Sequence, residues 1–120
     1  MKKWDFIGLQ FALQGLSILL NQRNFRIEIA LAFLAVGLGF YLQINLQEWL
    51  WISLAISLVL VIEAINTAIE LTLNRISREY HPVTKQAKDI AAGAVVLCCL
   101  QAIVIGLIVF IPKLWAVLFA

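Results

Sequence analysis

Four polar side chains stand on one face of an otherwise apolar stretch. Glu63, Asn66, Thr67 and Glu70 recur at i, i+3, i+4 and i+7, the spacing that gathers side chains on one side of an α-helix. Ala64, Ile65, Ala68 and Ile69 between them are apolar, and the run from Trp49 to Ile62 that leads in carries no charge. A carboxylate at membrane depth costs roughly 2–4 kcal/mol even on lenient scales and marks a functional site by default. Carboxylates hold divalent cations and accept hydroxyl protons. The bland alternative makes Glu63 and Glu70 ordinary charges where a helix leaves the membrane. Glu63, apolar on both sides, fits that less well than Glu70.

The elements that must carry this face are membrane helices. Of 120 residues 63% are hydrophobic and 13% charged, against about 25% charged in a soluble domain. The length allows one domain, so the chain reads as a single all-α integral membrane unit. Cys98 and Cys99 are adjacent in an apolar run with no His or Asp beside them. They read as packing residues, neither a disulfide nor a metal site. The start Met1-Lys2-Lys3 is basic, but Asp5, Gln10 and Gln14 interrupt any apolar core, so no cleavable signal peptide is expected.

Residues from about 4 to 21 read as an amphipathic helix lying in the membrane surface. Gln10, Gln14, Ser17 and Asn21 form its polar stripe, with Lys2, Lys3 and Trp4 at the headgroups. A short bundle helix packed on its neighbours is the alternative. Asn21 to Arg26 is a polar break, in which Asn21 or Asn24 is expected to cap the next helix and Glu28 to sit in its first turns. Three spans come next, at about 27–45, 49–73 and 88–111. Gly37 and Gly39 would allow close helix contact in the first. Trp49 and Trp51 open the second, whose helical pattern extends to about Ile76. His81-Pro82 breaks the loop after it, the last helix begins near Thr84, and Pro112 with Lys113 marks its far end.

Lys2, Lys3, Arg23 and Arg26 precede the first span, and Arg75, Arg78, Lys85 and Lys88 lie between the second and third; Lys113 stands apart. The positive-inside rule then puts the N-terminus and the 75–88 loop in the cytoplasm, with Glu63 to Glu70 at the cytoplasmic end of their span. One membrane face thus gathers Gln22, Arg23, Arg26 and Glu28 with Glu63, Asn66, Thr67, Glu70, Asn74, Lys88 and Asp89. Carboxylates for Mg²⁺, cations for phosphate oxygens and a carboxylate to take a hydroxyl proton are the parts of phosphoryl transfer. A small proton-coupled transporter using Glu63 is the rival reading, but its site would lie near the midplane. No Walker loop or zinc set occurs in the sequence, and nothing points to nucleic acid.

The run Glu63-Ala-Ile-Asn-Thr-Ala-Ile-Glu70, with Glu79-Tyr-His81, Ala87-Lys-Asp-Ile-Ala-Ala-Gly-Ala94 and Asn24-Phe-Arg26, resembles the prokaryotic diacylglycerol kinase and undecaprenol kinase family from about Phe11 to Pro112. The Ile90 to Ala94 and Asn24 to Ile27 wording is closer to the undecaprenol kinase branch. The resemblance implies a three-span kinase of the bacterial plasma membrane with a surface helix, working in lipid metabolism as a homotrimer with shared active sites. Its substrates would be ATP and a lipid alcohol, diacylglycerol or undecaprenol, and its metal Mg²⁺. Glu63 would be the general base on the lipid hydroxyl, with Asn66 and Thr67 as substrate contacts. Glu70 would bind the metal. Phe11, Phe25, Glu28, Asn66, Asn74, Lys88 and Asp89 would lie at the nucleotide. Two positions depart: the family usually has Glu at Gln22, sharing the metal, and Asp at Asn74. They raise the reading of a catalytically impaired descendant of a kinase.

Overall fold

The computed structural model describes residues 3–76 and 78–120, the side chains of residues 3–7 excepted; the headgroup anchors expected at Lys2, Lys3 and Trp4 lie outside what is described. Four helices run in order: α1 (Lys3–Leu20), α2 (Arg23–Leu42), α3 (Leu46–Ile76) and α4 (Pro82–Phe119). The last three are long and apolar enough to cross a membrane.

The α2–α3 turn is built by side chains as much as by backbone. α2 ends at Gln43 in the left-handed conformation, φ 52°. The Gln43 and Ile44 N–H groups close back on the Phe40 and Gly39 carbonyls at 3.3 and 3.2 Å, which satisfies acceptors the helix end would strand. Asn45 and Glu48 then cap α3 reciprocally: the Glu48 N–H donates to Asn45 Oδ1 and the Asn45 N–H to Glu48 Oε1, both at 2.9 Å. Lys113 Nζ reaches the same Glu48 Oε1 at 3.3 Å, tying α4 to this turn. Beneath it Leu42, Ile44, Ile52, Ala55, Ile105, Val109 and Phe110 form the bundle's core.

At the opposite end the bundle is looser. His81 caps α4, its Nδ1 accepting from the Val83 N–H at 3.1 Å, and Pro82 occupies the first turn, where a missing N–H costs nothing. Ala12, Gly15, Leu16 and Leu19 of α1 face Ala64, Thr67, Ala68 and Leu71 of α3 across a groove of about 320 Å³. Gln10, Gln14 and Ser17 fall on the other side of α1, exposed, as helical spacing requires.

Two local expectations are corrected. Neither Asn21 nor Asn24 caps α2; Gln22 does, in extended conformation, without a side-chain bond. Glu28 is in the first turns of α2 as expected, in the second of them. Pro112 does not end α4, which continues to Phe119. The Lys113–Glu48 ion pair and the Trp115–Phe119 ring contact, centroids 4.4 Å apart, hold the turns beyond it.

The chain is flat, 58 × 44 × 21 Å, about two helix diameters thick. Large apolar side chains such as Phe33, Leu34, Leu97 and Ile108 are exposed along the spans, which suits hydrocarbon or further protein.

A Cβ on Gly39 would meet the Trp49 ring at 2.7 and 3.0 Å and Ile44 Cδ1 at 3.1 Å, whereas one on Gly37 would meet nothing within 4 Å. Gly39→Val should therefore cost about 1–3 kcal/mol by overpacking, read as a lower thermal midpoint in detergent. Gly37→Val should leave the midpoint alone. Equal effects at the two positions would refute this account of the turn.

Candidate active site

The polar face of α3 passes from the protein interior to its surface. Glu63 is 5% exposed, Asn66 8% and Thr67 7%, while Glu70 is exposed. At 1.5 Å per residue from Trp49, Glu70 stands about 30 Å along α3, at the far edge of a hydrocarbon slab. Glu63 stands about 10 Å inside that edge. One helix face therefore joins a buried carboxylate to a water-facing one. Asn66 links them: its Nδ2 donates to Glu70 Oε1 at 3.4 Å, and its Oδ1 is buried without a partner.

Glu63 does not stand alone. The Glu28 carboxyl from α2 lies within interaction range of it, and Cys99 from α4 is near enough to feel the charge of both. One Glu28 oxygen, Oε2, is buried with no hydrogen-bond partner. Glu28 and Cys99 form the polar end of a cavity of about 250 Å³ between α2, α3 and α4. The resemblance placed Glu28 beside the nucleotide; here its carboxyl borders this apolar space.

A second group sits at the loose end of the bundle. Lys88 Nζ donates to Asn74 Oδ1, joining the first turns of α4 to α3 one turn beyond Glu70. Lys85 Nζ meets Asp89 Oδ2 at 2.6 Å on the exposed side of α4. Gln22, Arg23 and Arg26 are exposed at the α1–α2 break, Phe11 is exposed on α1, and Phe25 is buried. Thr67 lines the groove toward α1. The structure thus joins Glu28 with Glu63, Asn66 with Glu70, and Asn74 with Lys88.

Among the described residues no three His, Cys, Asp or Glu side chains converge as a metal cage. Mg²⁺ does not need one, since it keeps waters and takes one or two carboxylates plus substrate phosphate. Glu70, exposed and steadied by Asn66, suits that donor set. Sequence reasoning missed Cys99 at the site. Its signal was the 11-residue spacing from Lys88, which returns a helix to the same face.

A family model described as prokaryotic diacylglycerol kinase matches residues 10–110. The undecaprenol kinase of Bacillus subtilis (strain 168) is 41% identical over 94 residues, 78% of this chain and 76% of that protein. The diacylglycerol kinase of Synechocystis sp. is 31% identical over 110 residues, 90% of this chain and 63% of that protein. The diacylglycerol kinase of Escherichia coli (strain K12) is 31% identical over 97 residues, 81% of this chain and 76% of that protein.

Two carboxyl groups facing each other away from water disfavour the fold. Glu28→Gln should relieve this and give Glu63 an amide donor, raising the thermal midpoint in detergent by a few degrees. A fall in the midpoint would mean that the two carboxyls do not oppose each other.

Proposed function

The chain belongs to the prokaryotic diacylglycerol kinase family and is a lipid kinase using ATP as phosphoryl donor; from that premise we propose the division of labour along α3. The observation that carries it is the path from Glu63, buried and within reach of the Glu28 that lines an apolar cavity, to Glu70, exposed one turn before Asn74 of the Lys88–Asn74 pair. A lipid hydroxyl reaches the first from the membrane, and nucleotide phosphates reach the second from water. The lipid oxygen forms a bond to the γ-phosphorus while the bond from phosphorus to the β–γ bridging oxygen breaks and ADP leaves. Glu63 takes the hydroxyl proton. Asn66, bonded to Glu70, fixes the distance between the two ends.

Lys88, held by Asn74, neutralises phosphate oxygens as charge shifts toward the leaving group. Asp89 stays paired with Lys85 until the nucleotide arrives. Phe11 offers an exposed ring to the base, and buried Phe25 anchors the break that carries Gln22. Mg²⁺ bound at Glu70 would supply charge neutralisation across the β- and γ-phosphates. Gln22 offers it a neutral oxygen in place of a carboxylate.

The working unit is a homotrimer with sites shared between copies. The flat shape, the exposed apolar spans and the distribution of the site groups support this. The charge pattern supports an active site on the cytoplasmic face.

Glu63→Gln should lower turnover by ~10²–10⁴-fold, the usual cost of losing a general base, with an unchanged circular dichroism spectrum and a particle mass of three chains in mild detergent. Activity within a few-fold of the parent would remove Glu63 from this role. Gln22→Glu should lower the Mg²⁺ concentration for half-maximal rate at fixed ATP, because Mg²⁺ prefers anionic oxygens. An unmoved titration curve would take Gln22 away from the metal.

A further inference from the structure

His81 closes the Glu79-Tyr-His81 run and has no part in phosphoryl transfer itself, yet it starts the helix that carries Lys88 and Asp89. Resting on the reading of Lys88 as a phosphate contact, we propose that His81 is a positioning residue for the nucleotide. Its neutral ring holds the first turn of α4. Protonation of the ring releases that turn and weakens nucleotide binding.

The backbone prepares the cap. His81 has φ −137° and ψ 130°, extended as the residue before a proline tends to be and as a helix N-cap requires. Its carbonyl accepts the Lys85 N–H at 3.0 Å. Its Nδ1 accepts the Val83 N–H at 3.1 Å. Pro82 has no N–H to place, so this ring bond serves the first donor that α4 leaves without an intrahelical partner. An imidazole accepts there only when neutral, with its proton on Nε2. The imidazolium has two N–H donors and no acceptor. Protonation turns Nδ1–H against the Val83 N–H and sets a positive charge at the positive end of the helix. Imidazole is the side chain that changes charge between about pH 5 and about pH 8.

Packing does not compensate for a lost cap. His81, Pro82 and Val83 are exposed, and the first buried residue of α4 is Ala91, whereas most helices in proteins owe their stability to a packed face. Among the described residues, the side-chain bonds on the next two turns are Lys85 Nζ to Asp89 Oδ2, exposed at 2.6 Å, and Lys88 Nζ to Asn74 Oδ1. Lys85 and Asp89 meet only while residues 85–89 are helical. The Lys85 N–H, bonded to the His81 carbonyl, begins that register. The charged and titratable groups around the ring are Arg78, Glu79 and Tyr80 before it and Lys85 after it. Glu70 and Arg75 stand on the end of α3 that Lys88 joins through Asn74. All of them stay in place when residue 81 alone is changed, so such a change isolates the ring.

The test uses the full chain in detergent as parent, His81→Asn and His81→Ala. Asparagine caps a helix without titrating, and alanine does not cap. Two quantities are read at about pH 8 and about pH 5.5, on either side of an imidazole's range. One is amide hydrogen exchange over residues 82–90 without nucleotide. The other is KM for Mg-ATP with undecaprenol or 1,2-dioctanoylglycerol as acceptor. Each parent value is divided by that of His81→Asn at the same pH, which removes the titration of ATP and the pH dependence of exchange itself. Parent and His81→Asn should agree at the higher pH. At the lower one the parent should exchange faster and show a several-fold higher KM, within the roughly 2- to 30-fold that an N-cap is worth. His81→Ala should resemble the acid parent at both. Ratios that stay constant with pH in both readouts overturn the inference and leave the kinase reading standing. Exchange that diverges in acid while KM does not supports the cap switch and takes the first turns of α4, with Lys88, away from the nucleotide.

Discussion

A carboxylate about 10 Å inside a hydrocarbon slab has to be enclosed by protein. Glu63 satisfies that constraint within one chain, where it is 5% exposed. Much of the bundle's form comes from meeting it. α3 must be long enough to carry the carboxylate inside and still bring Glu70 to water. α2 must supply Glu28 beside it. α4 brings the small residues Ala102 and Gly106 to the cavity that Glu28 borders. Among the described residues the enclosure leaves Glu28 Oε2 and Asn66 Oδ1 buried without hydrogen-bond partners. Such atoms are costly in a resting fold and useful where a hydroxyl or phosphate group is to arrive.

Cohesion is distributed unevenly along the spans. The turn between α2 and α3 holds the core cluster, a reciprocal cap and an ion pair. Toward the other end the cavity separates the helices, and the Lys88–Asn74 bond joins α4 to α3 near the ends of both. The proposed site therefore lies where fewer contacts join the helices, which suits the proposed entry of a lipid from one side and a nucleotide from the other.

Much of this was legible in the sequence. The end of α3 at Ile76 came from the helical pattern, and the buried-to-exposed face from the spacing of Glu63, Asn66, Thr67 and Glu70. The continuation of α4 through Pro112 was not legible, because proline reads locally as a stop. What carries the helix past it is a contact to Glu48, 65 residues away in sequence. The cavity was invisible for the same reason, since its alanines and glycine are ordinary until three helices bring them together. Cys99 looked like packing because its partners are on other elements.

The Lys113–Glu48 pair also bears on how charge is shared between the two ends of the bundle. Of nine Lys and Arg residues, eight lie within the first 26 residues or between positions 75 and 88. Lys113 alone stands at the end that carries the α2–α3 turn, and Glu48, at the start of α3, takes its ammonium at 3.3 Å. The lone cation of that end is thus met by a carboxylate of its own chain, and the same contact latches the last helix to the third.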